Sequence, residues 1–150
     1  RRGSPDYLDP RLNCHSKLHE VVALSQAIGA GADEGLMLDI NGFVSTCNAT
    51  NFFVVREGGV WTSTGHYNLN GITRQLVLEV APSAGLTAHE KPFSLTDVYS
   101  ADEAFVTGTF AGLTPVISVD GRTIGDGRPG PLTAHLRHLY QAAVEADTAS

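Results

Sequence analysis

Lysine is scarce in this chain. Among 150 residues only Lys17 and Lys91 carry an ε-amine. Cysteine is equally sparse: Cys14 and Cys47 are too few for a disulfide scaffold. They also lack the C-x-x-C spacing of a structural zinc site or redox pair, so both read as reduced thiols. No apolar run approaches the ~20 residues needed to span a bilayer. The opening RRGSPDYLDP has no apolar core of the kind a secretory signal needs, so the expected location is cytoplasmic. Long Lys/Arg runs are missing too, and the formal net charge is -6. That balance disfavours nucleic acid or a membrane surface as the main partner and points to small molecules.

What is present suits a globular domain. Hydrophobic residues make up 42% and charged residues 17%, enough to bury a core. Residues 1–8 are polar and rich in Arg, Gly, Ser and Pro, and read as a linker or the remnant of a preceding domain, with residues 9–150 as the domain proper. The chain begins without methionine, so a longer product is expected.

Periodicity sets out the elements. In LHEVVALSQAIGA (18–30), Leu18, Val21, Val22, Leu24, Ser25 and Ile28 recur near one helical face, and Gly29 and Gly31 end the pattern. Apolar runs from Gly35 to Ser63 are broken by Asn41-Gly42 and Gly58-Gly59, which predicts a three- or four-stranded antiparallel meander. Residues 71–81 return to helical spacing, with Pro82 and Gly85 after them. A strand near LTAHEKPF, a short helical turn in SLTDVYSA and two strand-like runs between Glu103 and Gly125 follow. A last helix starts at Gly130-Pro131, where proline fits the first turn. The class is mixed α/β, antiparallel-rich, with about three helices.

Two segments suit ligand binding. In NLNGITR (68–74), a helix start offers free backbone N–H groups and the Thr73 hydroxyl, an arrangement that binds phosphate, unless Asn70 simply caps the helix. In TGTFAG (107–112), Gly108 and Gly112 allow the backbone to bend towards a ligand while Thr107 and Thr109 supply hydroxyls; a β-bulge without a ligand is the alternative. His15 and His19 stand four apart but have no third ligand at a recognisable spacing, so no metal is expected. DGRTIGDG (120–127) lacks the pattern of a calcium loop.

Taken in order, NGITR (70–74), ADEAFVTGT (101–109) and GxGxxGPLT (125–133) resemble the large C-terminal domain of the fold-type-IV pyridoxal-phosphate enzymes. That family includes branched-chain aminotransferases, D-amino acid aminotransferases and aminodeoxychorismate lyase, and the likeness runs from about Asp9 to about Tyr140. The resemblance implies pyridoxal 5'-phosphate as cofactor. Its phosphate would be gripped by Gly71, Ile72 and Thr73 and by Gly108 and Thr109, in accord with the anion site read from the residues. Phe110 and Ala111 would meet the substrate. A homodimer and an N-terminal domain of comparable size are implied as partners, together with amino acid and 2-oxo acid substrates.

The sequence departs from that pattern twice. The family's Schiff-base lysine aligns with Leu12 or Asn13, and Lys17 falls about four residues later, on the same side of an extended segment. It is the only lysine of that segment. The family's glutamate facing the pyridine nitrogen is replaced by Thr46, whose neutral hydroxyl withdraws electrons less effectively. The expected function is transamination of a small, branched-chain-like amino acid through Lys17. The alternatives are an aminodeoxychorismate lyase-like or racemase-like variant, and a non-catalytic relic or fragment with an interaction role. Metal-dependent hydrolysis through His15 and His19 stands third.

Overall fold

The computed structural model describes residues 1–6, 8–13, 15 and 17–148; Cys14 lies outside them. Helix α1 (Leu18–Gly29) is followed by β1 (Leu36–Leu38) and β2 (Val44–Cys47), then by β3 (Asn51–Arg56) and β4 (Gly59–Thr62). Helix α2 (Ile72–Val80) runs into a 3-10 turn (Ala81–Ala84) and leads to β5 (Thr87–Glu90). After the short α3 (Leu95–Tyr99) come β6 (Glu103–Gly108), β7 (Gly112–Val116), the two-residue β8 (Ser118–Val119) and β9 (Arg122–Thr123), and α4 (Pro131–Thr148).

Five strands form one sheet in the order β5-β4-β3-β6-β7. All its pairs are antiparallel except β4–β5, which α2 connects in parallel. Strand β3 reads NFFVVR, a nearly continuous apolar run, and this suits a strand covered on both faces. Phe53 and Val55 turn towards Val77 of α2 and Leu136 of α4, whereas Phe52 and Val54 turn towards Val44 of β2 and Val98 of α3. Phe53 sits directly opposite Phe105 of β6, with ring centroids 4.9 Å apart and planes 5° from parallel. Burying each ring contributes roughly 1.5–3 kcal/mol, and the stacked pair adds about 0.5–1.5 kcal/mol.

Two expectations need correction. The predicted single meander is broken, because β1 and β2 form a hairpin of their own and β3 and β4 belong to the large sheet. The break is local: the Cys47 N–H donates to the Thr50 carbonyl at 2.9 Å, closing a tight turn between β2 and β3. The described residues also hold four α-helices, where about three were expected. The predicted short turn at 94–101 becomes α3 because a capping box satisfies its start: the Asp97 N–H donates to the Ser94 hydroxyl, and Asp97 accepts from the Ser94 N–H. The apolar face foreseen on α1 exists but is largely uncovered, for only Ala27 is buried while Leu18, Val21, Val22 and Ile28 are exposed.

The last helix is fixed to the sheet by a carboxylate. Glu103, the first residue of β6, accepts from the Leu132 N–H at 2.9 Å and from the Thr133 N–H at 2.7 Å. Pro131 before them has no N–H, so Glu103 serves the free donors of the first turn and lies at the positive end of the helix dipole. A Cβ on Gly130 would overlap this carboxylate, so the position accepts only glycine. Glu103→Ala is expected to cost about 2–3 kcal/mol through two buried donors left without an acceptor, measured by urea unfolding. Gly130→Ala should destabilise comparably by displacing the same carboxylate. Asp97 titrates below its usual value, chiefly through the Ser94 N–H, aided by the Ser94 hydroxyl and the charge of Arg56. Because the folded value is depressed, its contribution is complete above the unfolded value near 3.8 and is lost as pH falls through the lower folded value. A urea midpoint followed from about pH 5 to pH 3 should therefore fall less steeply in Asp97→Asn than in the parent.

Candidate active site

A cleft of about 300 Å³ opens between the N-terminal segment with the start of α1 and the end of β2 with the turn into β3. Lys17, Leu18, His19 and Glu20 of the first of these segments line it together with Thr46, Cys47, Thr50 and Asn51 of the second. Lys17 occupies the N-cap position of α1 without capping it through its side chain, and it is exposed. Leu12 and Asn13 line the same cleft. Arg2 is drawn into the wall: its main-chain N–H donates to the Leu38 carbonyl at 2.8 Å, and its guanidinium bonds the Tyr67 carbonyl and pairs with Glu20.

Asn51 connects this cleft to the start of α2. Its side-chain amide donates to the Leu69 carbonyl at 2.9 Å, and a Cβ on Gly71 would sit 2.6 Å from its Oδ1. Glycine is thus required at 71 for the α2 start to approach Asn51. Gly71, not Asn70, is the N-cap of α2, and no side chain caps it. Asn70 instead packs on Gly65. The ladder of α2 begins with the Gln75 N–H bonded to the Gly71 carbonyl at 3.0 Å, so the N–H groups of Ile72, Thr73 and Arg74 precede it. The contrast with α3 and α4, whose starts are occupied by Asp97 and Glu103, is direct.

Across the sheet, Asn51 pairs with Thr107, so their side chains share the face that carries α2. Thr107 is buried and its hydroxyl has no hydrogen-bond partner. Gly108 ends β6 beside Thr50, and Thr109, Phe110 and Ala111 form the following turn. Thr46 is buried on β2, and its hydroxyl donates to the Thr50 carbonyl at 2.7 Å. Cys47 is buried and unpaired. Burial foremost, then the charge of Glu34, pushes its thiol well above the ordinary range, so it remains protonated.

Of the residues foreseen from sequence, Lys17 and Thr46 therefore line one cleft. Gly71 abuts Asn51 and Gly108 abuts Thr50 at its margin, while of the next residues of α2 Ile72 is exposed and Thr73 buried. Thr109, Phe110 and Ala111 are exposed and do not line the cleft. Sequence reasoning missed Asn51, Arg2 and Glu103. Asn51 left one signal, a lone polar residue heading the apolar run FFVV. Among the described residues no group of three or more His, Cys, Asp or Glu is placed to hold a metal ion, and no helix is long and apolar enough to cross a membrane.

On a mixed five-stranded sheet, a cleft bordered by Thr50 and Asn51 thus lies beside a helix start without a side-chain cap. The family model described as amino-transferase class IV matches residues 1–119, and the chain belongs to this family. A branched-chain-amino-acid aminotransferase of Pseudomonas aeruginosa is 43% identical over 131 residues, 87% of this chain and 43% of that protein. Branched-chain-amino-acid aminotransferase-like protein 2 of Arabidopsis thaliana is 40% identical over 141 residues, 94% of this chain but 25% of that protein. Among solved structures, the branched-chain amino acid aminotransferase from Thermobaculum terrenum in its PLP-bound holo form superposes with a TM-score of 0.90 at 34% identity, covering 95% of this chain and 48% of that one. The chain thus spans less than half the length of each.

Gly71→Ala should force Asn51 away from the α2 start and destabilise the fold by about 1–3 kcal/mol. In an Asn51→Ala background the same change should cost markedly less, a non-additivity that a double-mutant cycle of urea unfolding measures.

Proposed function

We propose that this chain is the cofactor-holding half of a pyridoxal-phosphate-dependent aminotransferase acting on a small, branched-chain-like amino acid. The observation that carries the reading is the pairing of an amine-bearing cleft with a neighbouring phosphate-type site. The latter combines the uncapped start of α2 with the buried, partnerless hydroxyl of Thr107 on the same face. These residues fit a phosphorylated pyridine aldehyde. The N–H groups of Ile72 and Thr73, Gly71 by its close approach, and Gly108 with Thr109 would hold the phosphate. Thr46 would face the ring nitrogen, and the turn at Phe110 and Ala111 would receive the substrate.

When bound, the cofactor supplies an aldehyde that bonds to amines and a ring that draws electrons from the substrate's α-carbon. Lys17 would anchor it through Nζ. Displaced by the substrate amine, Lys17 would then carry the α-proton as base and acid. Asn51 keeps the two halves of the site in register by bonding the Leu69 carbonyl beside Gly71. The exposed apolar residues of α1 are what an N-terminal half or a second subunit of a homodimer would cover.

Two observations favour a rival reading, a cofactor-binding relic: no carboxylate stands at Thr46, and Lys17 lies four residues from the family's lysine position. Borohydride reduction of the full-length protein loaded with pyridoxal phosphate, followed by peptide mass mapping, separates them. The adduct is expected on Lys17, and Lys17→Ala should lower turnover roughly 100- to 10,000-fold. An adduct on Lys17 without any spectral half-reaction towards amino acids supports the relic, and cofactor bound with no adduct on Lys17 refutes the role given to it.

A further inference from the structure

We infer, on the ring placement proposed above, that this site takes its cofactor with the ring nitrogen unprotonated, bonded by the Thr46 hydroxyl, and that Thr46 thereby sets a weak electron demand for the reaction. The argument is one of charge and of hydrogen-bond capacity. Two carboxylates line the cleft among the described residues, and each is already matched by an arginine. Asp9 accepts from Arg11 Nε and Nη2 at 2.8–3.1 Å, and Glu20 pairs with Arg2. Glu34, near β2, is not part of the lining and accepts from the Thr50 hydroxyl at 2.7 Å. Cys47 beside Thr46 is a buried neutral thiol. A pyridinium against β2 would lose hydration and find no unpaired carboxylate among the described lining residues, and both effects favour the neutral ring.

A neutral pyridine nitrogen is an acceptor, and Thr46 can serve it without leaving any group unsatisfied. A hydroxyl has a single hydrogen to donate, now given to the Thr50 carbonyl at 2.7 Å. That carbonyl also accepts from the Cys47 N–H at 2.9 Å, so it keeps a partner when the hydroxyl turns away. Asn51 loses only a long 3.5 Å contact to Thr46 and retains the Leu69 carbonyl at 2.9 Å. The hydroxyl is thus free to rotate between a backbone acceptor and a ligand acceptor. A carboxylate at position 46 could offer no hydrogen in its ionised form and would require the protonated ring.

The test reads the nitrogen itself. The full-length protein is loaded with pyridoxal phosphate labelled with nitrogen-15 in the ring, and its chemical shift is followed by solid-state NMR from about pH 6 to pH 8. The expected result is a neutral-pyridine shift throughout, moved to the pyridinium range in Thr46→Glu. A pyridinium shift in the unmutated protein overturns the inference while leaving the cofactor reading intact; failure to bind the cofactor at all overturns both. Should Thr46→Glu not fold, the unmutated protein still decides through an analogue bearing C–H in place of the ring nitrogen. Loss of one neutral hydrogen bond predicts an affinity drop of less than about tenfold, and a substantially larger drop, the mark of a charge-assisted bond, refutes the proposal.

Discussion

The pairing of β3 with β6 is the constraint on which the remaining architecture depends. These neighbouring strands are covered on both faces, and their contact is fixed by a register that stacks Phe53 on Phe105. A slip of one residue would turn Phe53 and Val55 out of the layer shared with α2 and α4 and bring Phe52 and Val54 into it. The same register assigns the polar ends of the ladder. At one end Val55 lies opposite Glu103, whose carboxylate holds the start of α4; at the other Asn51 lies opposite Thr107, next to the start of α2. Both ends use the same face. A helix that begins over this sheet has its N–H groups directed at a strand end, so the residue standing there determines what the helix can do.

That difference separates a helix start filled by a carboxylate from one left without a side-chain cap. Glu103 fills the site at α4 with a fixed negative charge and closes it to any other anion. Asn51 and Thr107 bring no charge to α2, and its start has no side-chain cap. The chain forgoes some local stability there, and the first-turn N–H groups are left without a side-chain acceptor. In the cleft the ionic groups are likewise largely matched, Arg2 with Glu20 and Arg11 with Asp9. Lys17 stands exposed at the N-cap of α1, and the neutral Thr46 lines the same cleft.

Much of this was legible in the sequence. Helical periodicity located α1, α2 and α4, and the Asn41-Gly42 and Gly58-Gly59 pairs marked two of the turns. The motifs NGITR and ADEAFVTGT carried the family resemblance. The split of the meander into a hairpin and a larger sheet was not legible. It depends on a backbone hydrogen bond between Cys47 and Thr50, and a backbone bond leaves no side-chain signature. Nor could spacing show that the apolar side of α1 stays uncovered, since periodicity gives a face and never says what packs against it.

The sequence by itself determined which segments curl or extend, the scarcity of amines that singled out Lys17, and the absence of a carboxylate at position 46. These are properties of residues and of local spacing, and they survive any arrangement of the elements. Only the tertiary structure decided that Lys17 and Thr46 share a cleft, that Asn51 holds Gly71 beside it, and that Glu103, on a strand well before α4 in the chain, occupies that helix's start. Each of those facts joins residues far apart in the chain. Such contacts follow from the register of buried strands, and that register is set by the packing of the whole core.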